Sequence, residues 1–329
     1  MANIKTSYMG MELSSPVIVG ASPISKKIEN IKKAEDAGAG ALVIHSLFQE
    51  QIETEIDELE SALMIGSELF PEALTYFPIL EHAGAREHVM WIEKTRKQVK
   101  MPLIGSLNAS CTGNWLAYAK QLQDAGCNAL ELNLYSIETD IDRKSEDIEK
   151  EALEVVADVV AEVSIPVSVK LNPWYTNVGG FASEVIKSGA CGVVLFNRFY
   201  QPTIDINTQT LKTGLDLSRP EDNRLPLRWT AILSGQLSTD IVASTGVHSG
   251  DDVIRQILAG AKAAQTVSAL LKYGVGYVTK MNEEIAAWMD SNEYATIEDF
   301  RGKLNQQKVD DPKAFERVQY ANVLMGNKE

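Results

Sequence analysis

Cysteine is scarce in this chain: the 329 residues hold three, Cys111, Cys127 and Cys191, with no CxxC and no Cys/His pair at ligand spacing. That argues against an iron–sulfur ligand set and a zinc site. Cys127 and Cys191 follow helix-ending glycines and are expected to be buried packing thiols. Histidine is also rare, at His45, His82, His88 and His248, so no metal centre is expected. No apolar stretch reaches the roughly 18 residues of a membrane span, and the opening MANIKTSYMG has no apolar signal core. Positive charge is in deficit: 31 Lys and Arg stand against 45 Asp and Glu, a formal net charge of −14, which repels nucleic acid. These absences leave a cytoplasmic enzyme with a small-molecule substrate as the expectation.

What is present is a phrase used four times, in which a glycine closes a helix and an apolar strand follows: DAGAGALVIH from Asp36, DAGCNALELN from Asp124, KSGACGVVLF from Lys187 and LAGAKAAQTV from Leu258. Between the copies lie PVIVGAS from Pro16, PLIGSL from Pro102, PVSVKL from Pro166 and TDIVAST from Thr239. Eight buried strands alternating with helices make the α/β count of a closed (β/α)8 TIM barrel. A doubly wound open sheet is the alternative, but no strand is followed by its GxGxxG phosphate loop. No composition break interrupts the rhythm, so residues 1–329 read as a single domain. IKTSYMGMELSSP, before the first strand, reads as an N-terminal hairpin plugging the barrel floor.

Two connections are long. The one after strand two, about residues 46–84, carries the acidic QEQIETEIDELE and the aromatic ELFPEALTYFP. The one after strand six, about residues 199–228, carries PTIDINTQTL, which alternates at period two. Both leave the carboxyl ends of strands, the face where barrel active sites are built, so they read as pocket covers or as a subunit contact in a homodimer.

The strand tips supply Ala21 and Ser22, His45 and Ser46, Ser106 and Asn108, Asn133 with Tyr135 and Ser136, Lys170 and Asn172, Asn197 and Arg198, Ser244 to Gly246, and Val267 with Ser268. Carboxylates are nearly missing from this rim, which argues against paired-acid glycoside chemistry and a magnesium site. Neutral donors suit a flat polar heterocycle. STGVHSGDD, after strand seven, and the helix start at Ser268 suit a phosphate, with Gly246 allowing close backbone approach and Ser249 capping the next helix. Lys170 has two readings: a neutral Schiff-base amine in a flavin-free aldolase or lyase, or a cation stabilising the anion of a reduced flavin.

In order, SSPVIVGAS, LVIHS, LELNLYS, PVSVKLNP and VVLFN resemble the dihydroorotate dehydrogenase family of FMN-dependent barrels, and YATIEDFRGKL from Tyr294 matches that family's closing helix. The resemblance implies an FMN oxidoreductase acting on a CH–CH group, with pyrimidine biosynthesis as the associated role. It places Ala21 and Ser22 against the flavin ring, Asn108 and Asn133 on its polar edge, Lys170 at its N1/O2 side, and Gly246, Val267 and Ser268 around its phosphate. The family's loop base falls on Ser136, with His45 nearby as a second candidate. Asn133, Glu138, Asn197 and Arg198 fall at substrate-binding positions.

The chain departs from the family at several of these points. His45 stands where the family has lysine. Ile137 and Glu138 replace Pro and Asn after the base, Arg198 replaces a small hydroxyl residue, and ELFPEALTYFP lacks the Asn-containing glycine-rich turn. Dihydroorotate is thus the leading named substrate of a remodelled pocket. A noncatalytic flavoprotein docked on a redox partner protein is a further alternative, and no NAD motif is visible to identify the electron acceptor.

Overall fold

The structure, a computed structural model, describes residues 2–48, 83–108, 115–199, 201–212, 214 and 216–326. It opens with the expected antiparallel hairpin, β1 (Thr6–Tyr8) against β2 (Met11–Leu13). Eight parallel strands then close on one another: β3 (Val17–Val19), β4 (Ala41–Val43), β6 (Leu103–Asn108), β7 (Ala129–Asn133), β8 (Val167–Leu171), β9 (Gly192–Leu195), β12 (Asp240–Ser244) and β13 (Ala263–Thr266). Pairing of β13 with β3 and of β4 with β6 completes the circle, and the short β5 (Leu47–Phe48) extends β6 at its upper end. In the four repeated phrases Gly38, Gly126, Gly189 and Gly260 all have φ between +82° and +122°, which ends each helix where the next strand begins.

Helices α1 (Ile28–Asp36), α2 (Ala83–Arg96), α3 (Trp115–Asp124), α4 (Ser145–Glu162), α5 (Val178–Lys187), α6 (Arg224–Leu233) and α7 (Gly250–Ala259) alternate with the strands, and α8 (Ser268–Tyr273) and α9 (Tyr277–Ser291) follow the last one. One apolar cluster lies between sheet and helices. A second fills the lower barrel interior, where Tyr8, Met9 and Leu13 of the hairpin meet Ile18, Val43, Ile104, Val194 and Val242. The hairpin is therefore the floor: the Met9 N–H donates to Asp240 at the lower end of β12, 2.7 Å away.

The segment 49–82 lies outside the described residues, and with it the cover expected from QEQIETEIDELE and ELFPEALTYFP. The second long connection forms the hairpin β10 (Thr203–Asp205) and β11 (Thr210–Lys212), as its period-two alternation implies. Two expectations need correction. Cys127 is buried, but Cys191 is exposed, since it precedes β9 at the barrel edge instead of standing in its wall. YATIEDFRGKL forms a 3-10 turn at Ile297–Asp299 and further turns, not an α-helix. Its Gly302 and Leu304 N–H groups donate to the carbonyls of Ile257 and Leu258 on α7, so the backbone bonds leave the segment. The last helix is α10 (Arg317–Leu324).

Candidate active site

Side chains alternate across each barrel strand, so every second residue faces the axis. Read upward, β6 presents Ile104, Ser106 and Asn108, β7 presents Ala129, Glu131 and Asn133, β8 presents Ser168 and Lys170, and β13 presents Ala263 and Gln265. The floor is apolar and the upper half polar. Lys170 Nζ donates to Gln265 Oε1 at 2.9 Å and meets Glu131 Oε1 at 3.3 Å, while Gln265 Nε2 donates to the other oxygen of Glu131. Glu131 is fully buried and Lys170 only 7% exposed. Reading the rim as poor in carboxylates overlooked Glu131, which lies one inward position below Asn133. The LELN alternation was the available signal, for residues two apart on a strand share a face.

Above this triad Asn133 Nδ2 donates to Ser106 Oγ at 2.9 Å and to Ser46 Oγ at 3.4 Å, and the two hydroxyls lie 2.7 Å apart. Asn108 stands level with Asn133 across the ladder. At the tip of β3 Ala21 is half-buried. Ser22 is buried, and its hydroxyl finds no partner among the described residues. The tips of β3 and β13 touch: a Cβ added to Gly20 would stand 2.8 Å from Val267 Cγ2.

His45 accepts a different set of neighbours from those its sequence position suggests. Its N–H donates to Ser25 Oγ at 2.7 Å, its Nδ1 lies 3.1 Å from the same hydroxyl, and its ring meets His88 edge-on with centroids 4.7 Å apart. Ser25 is further fixed by Trp91, whose indole N–H donates to its carbonyl. Burial, and then the charge of Lys26, lower His45 to about 4; burial, His45 and Lys26 do the same for His88. Both rings are neutral near pH 7.

On the opposite rim Gly246 has φ +74°, and a Cβ there would lie 2.2 Å from Asn223 N, so the glycine lets the loop after β9 approach. Thr245 before it takes φ +80°, unusual for a β-branched residue. The N–H groups of Gly246 and Val247 have no backbone partner among the described residues. Ser268 Oγ accepts from the Ser218 N–H and hydroxyl, each at 2.9 Å, and Ser218 Oγ lies 3.2 Å from His248 Nε2. Ser249 caps α7 in a reciprocal box with Asp252. Ser218 comes from the connection after β9 and His88 from α2, and nothing in the sequence marks where those return to the rim.

Ser136 is exposed on the loop after β7 and lines a cavity of about 450 Å3 with Tyr135, Arg143, Asn172, Trp174 and Phe199. Phe199 links its aromatic wall, 5.6 Å from the Tyr135 centroid and 6.0 Å from that of Trp174. The charged candidates here are engaged. Glu138 pairs with Arg143 at 2.9 Å, Arg143 also with Glu151 at 2.6 Å, and Arg198 with Asp222 at 2.9 Å. The Asp140 N–H, then Arg143, hold the Glu138 carboxyl below its usual range. Asn197 is tied through its backbone N–H to the Leu171 carbonyl at 2.7 Å.

Flavin has a physical fit here. The rim offers a buried hydroxyl at Ser22 without a partner among the described residues, N–H groups at Gly246 and Val247 without a backbone partner among them, and the donors Asn108, Asn133 and Lys170 on adjoining strands. Among the described residues no group of three or more His, Cys, Asp or Glu could hold a metal ion. Nor is any helix among them long and apolar enough to cross a membrane.

Comparison with known proteins agrees with this geometry. A family model described as "Dihydroorotate dehydrogenase" matches residues 80–289. The catalytic subunit of dihydroorotate dehydrogenase B (NAD(+)) from Thermoplasma volcanium is 26% identical over 314 residues, covering 92% of this chain and 98% of that protein. The protein of the same name from Methanocaldococcus jannaschii is 24% identical, over 92% of this chain and 98% of its own length. Dihydroorotate dehydrogenase A (fumarate) from Limosilactobacillus reuteri strain DSM 20016 is 27% identical over 271 residues, covering 79% and 85%.

Proposed function

The chain belongs to the dihydroorotate dehydrogenase family, oxidoreductases acting on a CH–CH bond, and from that premise we propose that it binds FMN across the upper barrel rim and oxidises a small ring compound there. The observation that carries the reading is the set of strand-tip donors, Ser22, Asn108, Asn133 and Lys170, gathered on one rim beside the N–H groups of Gly246 and Val247, which have no backbone partner among the described residues. Bound flavin would supply the hydride acceptor. The chain's own residues would do the rest: Lys170 presents its ammonium to the N1/O2 edge, Asn108 and Asn133 orient the ring, and Ser22 gives its free hydroxyl. The backbone at Gly246, Val267 and Ser268 would hold the phosphate.

Ser136 stands at the position of the family's base, on a loop that opens into the cavity. His45 bonds Ser25, which favours a separate role for it in fixing the rim. Alanine at Ser136 and at His45 should then slow anaerobic flavin reduction by independent, multiplicative factors; a double variant no slower than either single one would make the two a single proton-transfer unit. The pairing of Lys170 with buried Glu131 suits a charged ammonium, not the neutral amine of a Schiff base.

The substrate pocket is remodelled relative to dihydroorotate. Glu138 and Arg198 carry charge where the family has small polar groups, and both are held in ion pairs. Dihydroorotate should therefore reduce the flavin slowly beside a better-fitting dihydropyrimidine or related ring. The deciding experiment is to purify the protein, release its cofactor by heat and identify it, then screen reductants anaerobically. A yellow protein releasing FMN and bleached by a CH–CH donor is the expected result. Colourless protein that cannot be reconstituted would end the reading, and rapid bleaching by low concentrations of dihydroorotate would return the chain to pyrimidine synthesis. A single domain over residues 1–329, a homodimer and a cytoplasmic location belong to the same proposal, the dimer being checked by light scattering.

A further inference from the structure

Glu131 is a buried charge beneath the rim that the reaction as described leaves unused. It is fully buried, and both of its oxygens point into the polar half of the barrel: one meets Lys170 Nζ at 3.3 Å, the other accepts from Gln265 Nε2. Gln265 closes the triangle by accepting from Lys170 at 2.9 Å. No water is needed to satisfy this group, and its exclusion from solvent makes the charges act on one another at low screening. Ser168 stands level with Glu131 across the β7–β8 ladder, and Tyr8 lies in the barrel floor below. Burial first, and then the charge of Glu131, push the Tyr8 hydroxyl far above its usual range, so Tyr8 stays neutral. Asp240, which also bears on Tyr8, sits at the barrel floor bonded to the Met9 N–H. Of the two carboxylates, Glu131 is the one in direct contact with the Lys170 ammonium, and Asp240 is turned to the floor.

We propose that Glu131 is a positioning residue that sets the reduction potential of the bound flavin, by orienting Lys170 and offsetting its charge. This rests on the FMN reading above. A lone buried ammonium at the N1/O2 edge would strongly favour the negative charge that a flavin gains on reduction. An ammonium shared with a carboxylate favours it less, so the reduced cofactor is a stronger reductant toward its acceptor. Gln265 bonds both the carboxylate and the ammonium, so the offset is built into the fold.

The test is the midpoint potential of the FMN-loaded protein, read by equilibration with a reference dye, in wild type, Glu131→Gln, Glu131→Asp and Lys170→Met. Glu131→Gln keeps the side chain's shape and removes its charge. It should shift the equilibrium with the dye at least tenfold toward reduced flavin, about 30 mV for a two-electron couple. Glu131→Asp keeps the charge and should stay within a few-fold of wild type, whereas Lys170→Met should shift the equilibrium the other way. A merely structural role would lower FMN content or melting temperature in both Glu131 variants without this opposite movement. Potentials unmoved in Glu131→Gln with FMN bound would overturn the proposal alone. Failure of the wild-type chain to take up FMN would overturn the functional reading and this inference with it.

Discussion

His45 and His88 face each other at 4.7 Å on the rim, and both are lowered from an ordinary value near 6.5 to about 4. The unfolded chain therefore binds more protons than the folded one between those values. The stabilisation that the neutral rings allow is complete above pH 6.5 and is lost as the pH falls toward 4. Melting temperature should drop across that window, and His88→Gln should flatten the drop when the two profiles are compared. Ser22 gives a prediction of a different kind. Its hydroxyl is buried with no partner among the described residues, so Ser22→Ala should leave the cofactor-free protein as stable or slightly more stable. If that hydroxyl bonds the flavin, the same change weakens FMN binding several-fold, about 0.5–1.5 kcal/mol. Thermal unfolding of the cofactor-free protein reads the first, and calorimetric titration of it with FMN reads the second. Residues such as Lys170 and Asn133 were legible in the sequence because a strand tip in a barrel has one face to offer. Glu131 was missed because it lies below the tip, and Ser25 and His88 because their place follows from how helices return to the sheet.

The connections after β9 and β12 pack against each other at Gly246, which leaves no room for a side chain. Gly246→Ala would set a Cβ 2.2 Å from Asn223 N and demand φ +74° of a residue that resists it. The expected outcome is a clear loss of stability in urea unfolding, together with loss of retained FMN as the loop after β12 shifts. The cap of α7 is a separable feature. Ser249→Ala removes the acceptor of the Asp252 N–H, and a stability loss of about 1 kcal/mol follows without change in the rim's charged groups. Element types in this part of the chain were readable: the STGVHSGDD phrase carries its own cap, and PTIDINTQTL alternates as β10 and β11 do. The tail read as a helix was not, because YATIEDFRGKL bonds its backbone to α7, a partner distant in sequence.

The described residues form a barrel stoppered at one end by the N-terminal hairpin, with polar side chains gathered at the other. Tyr8 is fully buried among the lower inward residues, so Tyr8→Ala should open a cavity in the floor and cost about 3–5 kcal/mol, the range for truncating a large buried aromatic. Denaturant unfolding measures this. A loss under 1 kcal/mol would mean that the hairpin does not hold the floor. By itself the sequence determined the eightfold alternation, since glycine after each helix and unbroken apolar runs are local properties that hold wherever the chain goes. It also determined the residues at the strand tips, because alternation fixes which of them face inward. Only the tertiary structure decided which charges are spent on one another: Lys170 on Glu131, Arg143 on Glu138 and Glu151, Arg198 on Asp222. Lys170–Glu131 and Arg198–Asp222 join residues distant in sequence, at separations that closure of the barrel sets, and the Arg143 pairs depend on how the loop after β7 turns back on itself, which no helix or strand period records.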